Sequence, residues 1–161
     1  MCTENTLNTN AEDTMRPMWT CPACGRQYAN KHQWHSCVRI SEEDHLANKT
    51  PHAVELYRGV KDAIASNGAV RIHAQKTRLG FISRMTFVNL TMQKRWITVG
   101  LILPQEIESS RFHKTERYGP TSIGHYMKIH SLEDIDDELR AWLSLAYRAG
   151  TQADQPRYRR R

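Results

Sequence analysis

Residues 19–37 read W-T-C-P-A-C-G-R-Q-Y-A-N-K-H-Q-W-H-S-C, and this one stretch holds three of the four cysteines together with two histidines. The C-P-x-C-G knuckle turns two thiolates to one side of a tight turn. It leaves Gly25 free to take a positive φ and the following N–H groups free to reach the sulfurs. Cys21, Cys24 and Cys37 with either His35 or His32 then complete a tetrahedron. Four protein ligands leave no open coordination position, so the expected metal is one structural Zn2+ per chain and not a catalytic ion. The H-x4-C spacing of His32, familiar from small Cys-Cys-His-Cys fingers, slightly favours it over the tighter H-x-C of His35. A redox C-x-x-C would follow a strand and open a helix in a βαβ unit, whereas here a polar segment precedes it.

The rest of the chain is long enough for one ordinary domain beside this appendage, with 161 residues and no need of disulfides. Cys2 is left over with nothing to pair with, which suits a reducing cytosol, and the expected setting is soluble and cytoplasmic. Residues 1–18 are polar and carry Glu4, Glu12 and Asp13 with no apolar h-region. They read as a disordered tail, neither a signal peptide nor a membrane span. No later run approaches the roughly 18 apolar residues that a span needs, so no membrane partner is expected. Arg157, Arg159, Arg160 and Arg161 supply four of the six net positive charges. Residues 151–161 therefore read as a basic disordered tail, and the folded part as only mildly basic.

Between the tails the pattern is that of an α+β fold: a small N-terminal zinc knuckle, then an antiparallel β-sheet packed with two amphipathic helices. The zinc-binding module spans 19–38 and the α+β domain 50–150. In the connector 41–49, Ser41 stands ahead of Glu42, Glu43 and Asp44 as the cap of a short helical turn. Thr50 as N-cap, Pro51 at the first position and apolar residues at Ala53, Leu56, Tyr57, Val60, Ala63 and Ile64 predict a helix ended by Asn67 and Gly68. From Ala69 to His130 the period shortens and turns recur, which predicts strands near 70–74, 78–83, 85–90, 95–103, 111–118 and 123–130. Ser131 and Asp134 form an S-x-x-D box that opens a second helix, with Leu132, Ile135, Leu139, Trp142, Leu143 and Ala146 at helical spacing and Gly150 as its cap.

These residues resemble a widespread bacterial family catalogued as a domain of unknown function. The resemblance runs through Trp19 to Arg26, Gln33 to Cys37, Lys76 to Phe81, Gln93 to Trp96, His125 to Ile129 and Asp136 to Tyr147, nearly everything from Trp19 to Gly150. The family pattern carries its histidine in Q-x-H-S-C, so the resemblance implies His35 as the fourth ligand. Tyr28 stands where the family has Phe, and Leu79 and Gly80 replace Ile and Ala. What the resemblance implies is architecture, and it brings no activity with it.

Outside the zinc motif, Lys76, Arg78, Arg84, Lys94, Arg95, Arg111, Lys114, Arg117 and Lys128 recur through the strand region, interleaved with Trp96, Phe112, Tyr118 and Tyr126. Cations beside aromatics on a sheet are one way to hold phosphates and stacked bases, although any strand with a solvent face carries Lys and Arg. Lys76, Arg78, His125 and Lys128 are the candidate anion-binding set. The expected function is a binding module for nucleic acid or another phosphorylated, anionic partner. The alternative is a protein-interaction scaffold that docks through its zinc module. An enzyme is the less supported reading, since no G-x-S-x-G elbow, H-E-x-x-H pair, Walker loop or dinucleotide fingerprint occurs and the acids cluster at a helix start. His113, His125 and His130 have no identified nucleophile beside them.

Overall fold

A pair of two-residue strands opens the described part of the chain, residues 17–154 of the computed structural model. The expected tails lie, apart from Pro17 and Met18 at one end and residues 151–154 at the other, outside the described residues. The chain divides into two compact units, one ending at His35 and one beginning at Ser36.

In the first unit, β1 (Trp19–Thr20) pairs antiparallel with β2 (Gln27–Tyr28), Trp19 opposite Tyr28. The C-P-x-C-G turn links them. The Cys21 N–H donates to the Arg26 carbonyl at 2.9 Å, and the Gly25 N–H donates to the Cys21 carbonyl at 2.8 Å. Gly25 sits at φ +73°, a left-handed conformation that a side chain would strain. Cys21, Cys24 and Tyr28 are buried together, with Trp19 packed on them.

The second unit begins with α1 (Glu42–Leu46), closed at its start by a capping box: Ser41 accepts from the Asp44 N–H at 3.0 Å, and Asp44 accepts from the Ser41 N–H at 2.8 Å. Helix α2 (Pro51–Ala65) follows, with Thr50 accepting from the Ala53 N–H at 3.2 Å. Its stripe of Leu56, Tyr57, Val60 and Ile64 is wholly buried. The buried Tyr57 hydroxyl donates to Glu42 at 2.6 Å and Lys61 pairs with the same carboxylate at 2.5 Å, which ties α1 to α2. Burial first, and then the hydrogen bond to Glu42 and its charge, raises the Tyr57 pKa and keeps the phenol protonated.

The six strands β3 (Arg71–Ala74), β4 (Leu79–Ile82), β5 (Thr86–Met92), β6 (Ile97–Leu103), β7 (Phe112–Gly119) and β8 (Ser122–Ile129) form one antiparallel sheet in the order β3-β4-β5-β6-β8-β7. Helix α3 (Asp137–Thr151) closes the unit. One sheet face, with Val88, Leu90, Ile97, Val99, Leu101, Leu103 and Met127, shares a core with α2 and α3. On the other face Thr98 and Ile102 are half-buried and Lys128 is exposed. This is an α+β architecture, with three α-helices among the described residues, the short α1 included.

Two expectations about the last helix need correction. The Ser131/Asp134 box is present, yet it opens a single 3-10 turn (Leu132–Asp134), and Asp136 is the N-cap of α3, accepting from the Leu139 N–H at 2.9 Å. Gly150 does not cap the helix: α3 runs past it to Thr151, and Gln152 takes the left-handed conformation at φ 59°. What Gly150 allows is close approach. Its carbonyl accepts from the Arg84 and Met85 N–H groups at 3.3 and 2.8 Å, and an added Cβ would meet Ser83 Oγ at 2.8 Å and Phe87 Cβ at 2.9 Å.

Candidate metal centre and cationic sheet end

Metal-ligating atoms need to converge, and four side chains of the N-terminal motif do so. One donor atom each from Cys21, Cys24, His35 and Cys37 lies within 4.8 Å of all the others. A tetrahedral ion at ordinary metal–sulfur and metal–nitrogen lengths sets its ligand atoms about 3.5–3.8 Å apart, so the four are within roughly 1 Å of a closed shell. Three thiols and an imidazole are also a soft donor set suited to a transition ion and unsuited to calcium or magnesium. The four can hold a metal ion.

The local fold explains how three of the four donors are aimed. The tight turn between β1 and β2 carries Cys21 and Cys24, both buried. The Cys24 backbone N–H is the main influence that lowers the Cys21 thiol to a pKa of about 6, well below the ordinary 9.0, so this sulfur is a thiolate at neutral pH. His35 donates through Nδ1 to the Gln33 carbonyl at 2.7 Å, and this bond raises its pKa. It also fixes the tautomer: with the proton held on Nδ1, Nε2 carries the lone pair that a metal would take, 3.4 Å from Cys24 Sγ. Tyr28 stacks on the His35 ring at 4.3 Å. His32, the histidine favoured by spacing, is turned elsewhere: it occupies φ 56° and its ring lies 5.3 Å from that of Trp19.

The four candidate anion-binding residues do not gather at one point. His125 is fully buried on the helix-facing side of β8, opposite Leu101, with its ring 4.9 Å from that of Phe112. Both its nitrogens serve the backbone: Nε2 accepts from the Ile107 N–H and Nδ1 donates to the Ile123 carbonyl, each at 3.0 Å. Strand side chains alternate between faces, so residues three apart point to opposite sides, and Lys128 is exposed on the other face. His125 is a structural histidine.

Several of the interleaved cations are likewise committed within the fold. Arg111 bonds Asp136 at 2.9 and 3.0 Å, Glu138 at 3.0 Å and the Asp134 carbonyl at 2.7 Å, while covering the Trp142 ring. Lys114 pairs with Glu116 at 2.7 Å and Arg117 with Glu106 at 3.4 Å. Arg84 donates to Gln152 at 2.9 Å.

The remaining cations share one end of the sheet. Register aligns Leu79, Leu90, Val99 and Met127 across β4, β5, β6 and β8. One step beyond this row lie Arg78, Thr91, Thr98 and Lys128 on a common face, with Lys76 in the β3–β4 turn and Lys94 and Arg95 in the β5–β6 turn at the same end. All five cations are exposed. Arg78 bonds Gln75 at 2.9 Å, and Lys128 rests 4.8 Å above the Trp96 ring. Arg78 and Lys128 are three strand spacings apart, about 14 Å. That distance is too wide for one small anion and suits a row of phosphates. A cleft of about 300 Å³ adjoins the β3–β4 turn, lined by Val38, Ile40 and Ala74 with Lys76 and Arg78 among its polar residues. Lys94 and Arg95 stand among the interleaved cations of the sequence but outside its candidate anion set, and one sequence signal joins them to it: alternate turns of an antiparallel meander fall at the same end.

Residues 42–150 match the family described as a domain of unknown function, DUF5655. The matched segment contains the whole sheet and α1 to α3 up to Gly150, and it leaves the cysteine-rich motif outside. No curated protein and no solved structure matches the chain.

Proposed function

The chain belongs to the DUF5655 family, and from that premise we propose that it is a zinc-containing binding module that contacts nucleic acid, or another extended phosphorylated partner, through the cationic end of its sheet. The observation that carries this reading is the row of Lys76, Arg78, Lys94, Arg95 and Lys128 on strand ends and turns that the register brings to one edge of the domain. An extended polyanion neutralises such a row in several places at once and releases its counterions, whereas a single phosphate engages only one or two of these side chains.

Zinc is the ion in this proposal, since Cys3His with no open position is a closed structural site. Cys21, Cys24, His35 and Cys37 would hold it, and the ion would order the turn and the loop between them. The division into a zinc-binding module over 19–38 and an α+β domain over 50–150 belongs to the same reading. So does a cytoplasmic setting, where the thiols stay reduced. No helix among the described residues is long and apolar enough to cross a membrane.

The test is salt-dependent binding of a single-stranded oligonucleotide by a protein ending at Gln155, which lacks the terminal arginines. Residual binding is expected, with a slope of log affinity against log salt that falls by about 0.7 for each phosphate contact removed. Arg78→Ala and Lys128→Ala should each lower both affinity and slope. A shortened protein with no salt-sensitive binding at low ionic strength rejects the polyanion reading, and partners from lysate that survive nuclease put the protein-interaction scaffold in its place.

A further inference from the structure

Tryptophan is costly to leave in water, and the other three tryptophans of the chain are packed. Trp19 lies against Tyr28 and His32, Trp96 lies under Lys128 and beside His130, and Trp142 is 9% exposed against Phe112 and Arg111. Trp34 is 91% exposed. Beside it His35 is turned inward, with Nδ1 bonded to the Gln33 carbonyl and Nε2 toward the Cys24 sulfur, while Trp34 itself stands in solvent.

The composition of its segment says what would cover it. Residues 17–40 contain Arg26, Lys31 and Arg39 and no aspartate or glutamate. A divalent ion on three thiolates leaves one negative charge, so the segment stays positive when loaded. Within the same residues 17–40, Trp34 is the one exposed large aromatic side chain, and the only other exposed large hydrophobic one is the aliphatic Val38. A protein-docking patch needs a cluster of apolar anchors inside a dry rim. A flat ring on a cationic segment matches an unpaired base attached to phosphates, because every base offers a π-face and the backbone supplies the counter-charge.

We propose that Trp34 is a stacking platform for a base of single-stranded nucleic acid, held out by the metal-ligating loop. The inference rests on the polyanion reading above and adds a contact to the base where the sheet end supplies contacts to phosphate. The full chain with metal bound is titrated with a labelled single-stranded oligothymidine and with an abasic phosphodiester strand of equal length. Trp34→Ala should weaken the first by roughly five- to a hundredfold and leave the second unchanged, with metal content unaltered. Trp34→Phe, which keeps a π-face, should restore most of the loss.

Trp34→Ala binding oligothymidine as the wild type does, while Arg78→Ala and Lys128→Ala still weaken it, overturns the platform and spares the sheet end. Wild-type protein that binds neither strand fails both. Equal loss on the two strands makes Trp34 a structural residue and rejects stacking. Unchanged oligothymidine binding with loss of a nuclease-resistant protein partner assigns the ring to protein docking instead.

Discussion

His32 and His35 are three residues apart in one loop, and what separates them chemically is a single carbonyl. The Gln33 oxygen takes the Nδ1 proton of His35 and leaves Nε2 toward the sulfurs, while His32 spends its ring on Trp19. His35→Ala should therefore abolish stoichiometric metal binding under mild chelator competition, and His32→Ala should retain one ion per chain by elemental analysis. The reverse pattern would reassign the ligand. Spacing could not decide between the two histidines, because H-x4-C and H-x-C both permit a tetrahedron and the deciding bond is to a backbone oxygen that no motif encodes. His125 is set apart from Lys128 for a different reason. Its separation of three from Lys128 already placed it on the opposite face of a strand, so simple alternation contained the answer.

At the scale of elements, caps and turns decided where the sequence could be trusted. Thr50-Pro51 marked the start of α2 because a cap and a proline agree there. Before α3 two candidate caps compete: the Ser131 box wins a 3-10 turn, and Asp136 takes the helix because its carboxylate serves both the Leu139 N–H and the Arg111 guanidinium. Those two partners, the Leu139 N–H foremost, hold Asp136 below its ordinary 3.8. A depressed carboxyl pKa stabilises the fold above the unfolded value and loses that contribution as pH falls through the folded one. Asp136→Asn keeps the capping oxygen and removes the charge, so at pH 7 it should cost about 0.5–1 kcal/mol, the partial exposure of the pair keeping the figure small. Urea unfolding should show this difference at pH 7 and find it closing as the pH falls below the ordinary 3.8 and through the depressed folded value. A difference that persists in acid would mean that the charge is not what stabilises the helix start. Gly150→Ala tests the other end of α3. The new methyl meets Phe87 Cβ and Ser83 Oγ, and a loss of about 1–3 kcal/mol is expected from overpacking, with α3 itself still helical by circular dichroism.

At the scale of the whole molecule, the six strands and two long helices were legible because each carries its own apolar period. Strand order was not. The exchange that seats β8 beside β6 and sends β7 to the edge depends on long-range pairing that alternation leaves open. The cationic sheet end needed that register before its members could be grouped. The same topology predicts how the chain comes apart. Among the described residues the buried core of the α+β unit is made of Leu56, Phe81, Leu101, Leu143 and their neighbours, and Cys21, Cys24 and Tyr28 form a buried cluster of their own. Chelation should therefore abolish the order of the cysteine-rich module while one cooperative unfolding transition of the α+β unit remains. Cys21→Ser should leave that transition almost unmoved. Trp142→Ala should lower it by about 3–5 kcal/mol, because it removes a largely buried ring from against Phe112 and uncovers the Arg111 network above it. Thermal unfolding followed by circular dichroism, with and without chelator, separates the outcomes. Collapse of the whole transition on chelation would show the ion to be part of a single cooperative fold, and Trp142→Ala would then lower metal retention as well as stability.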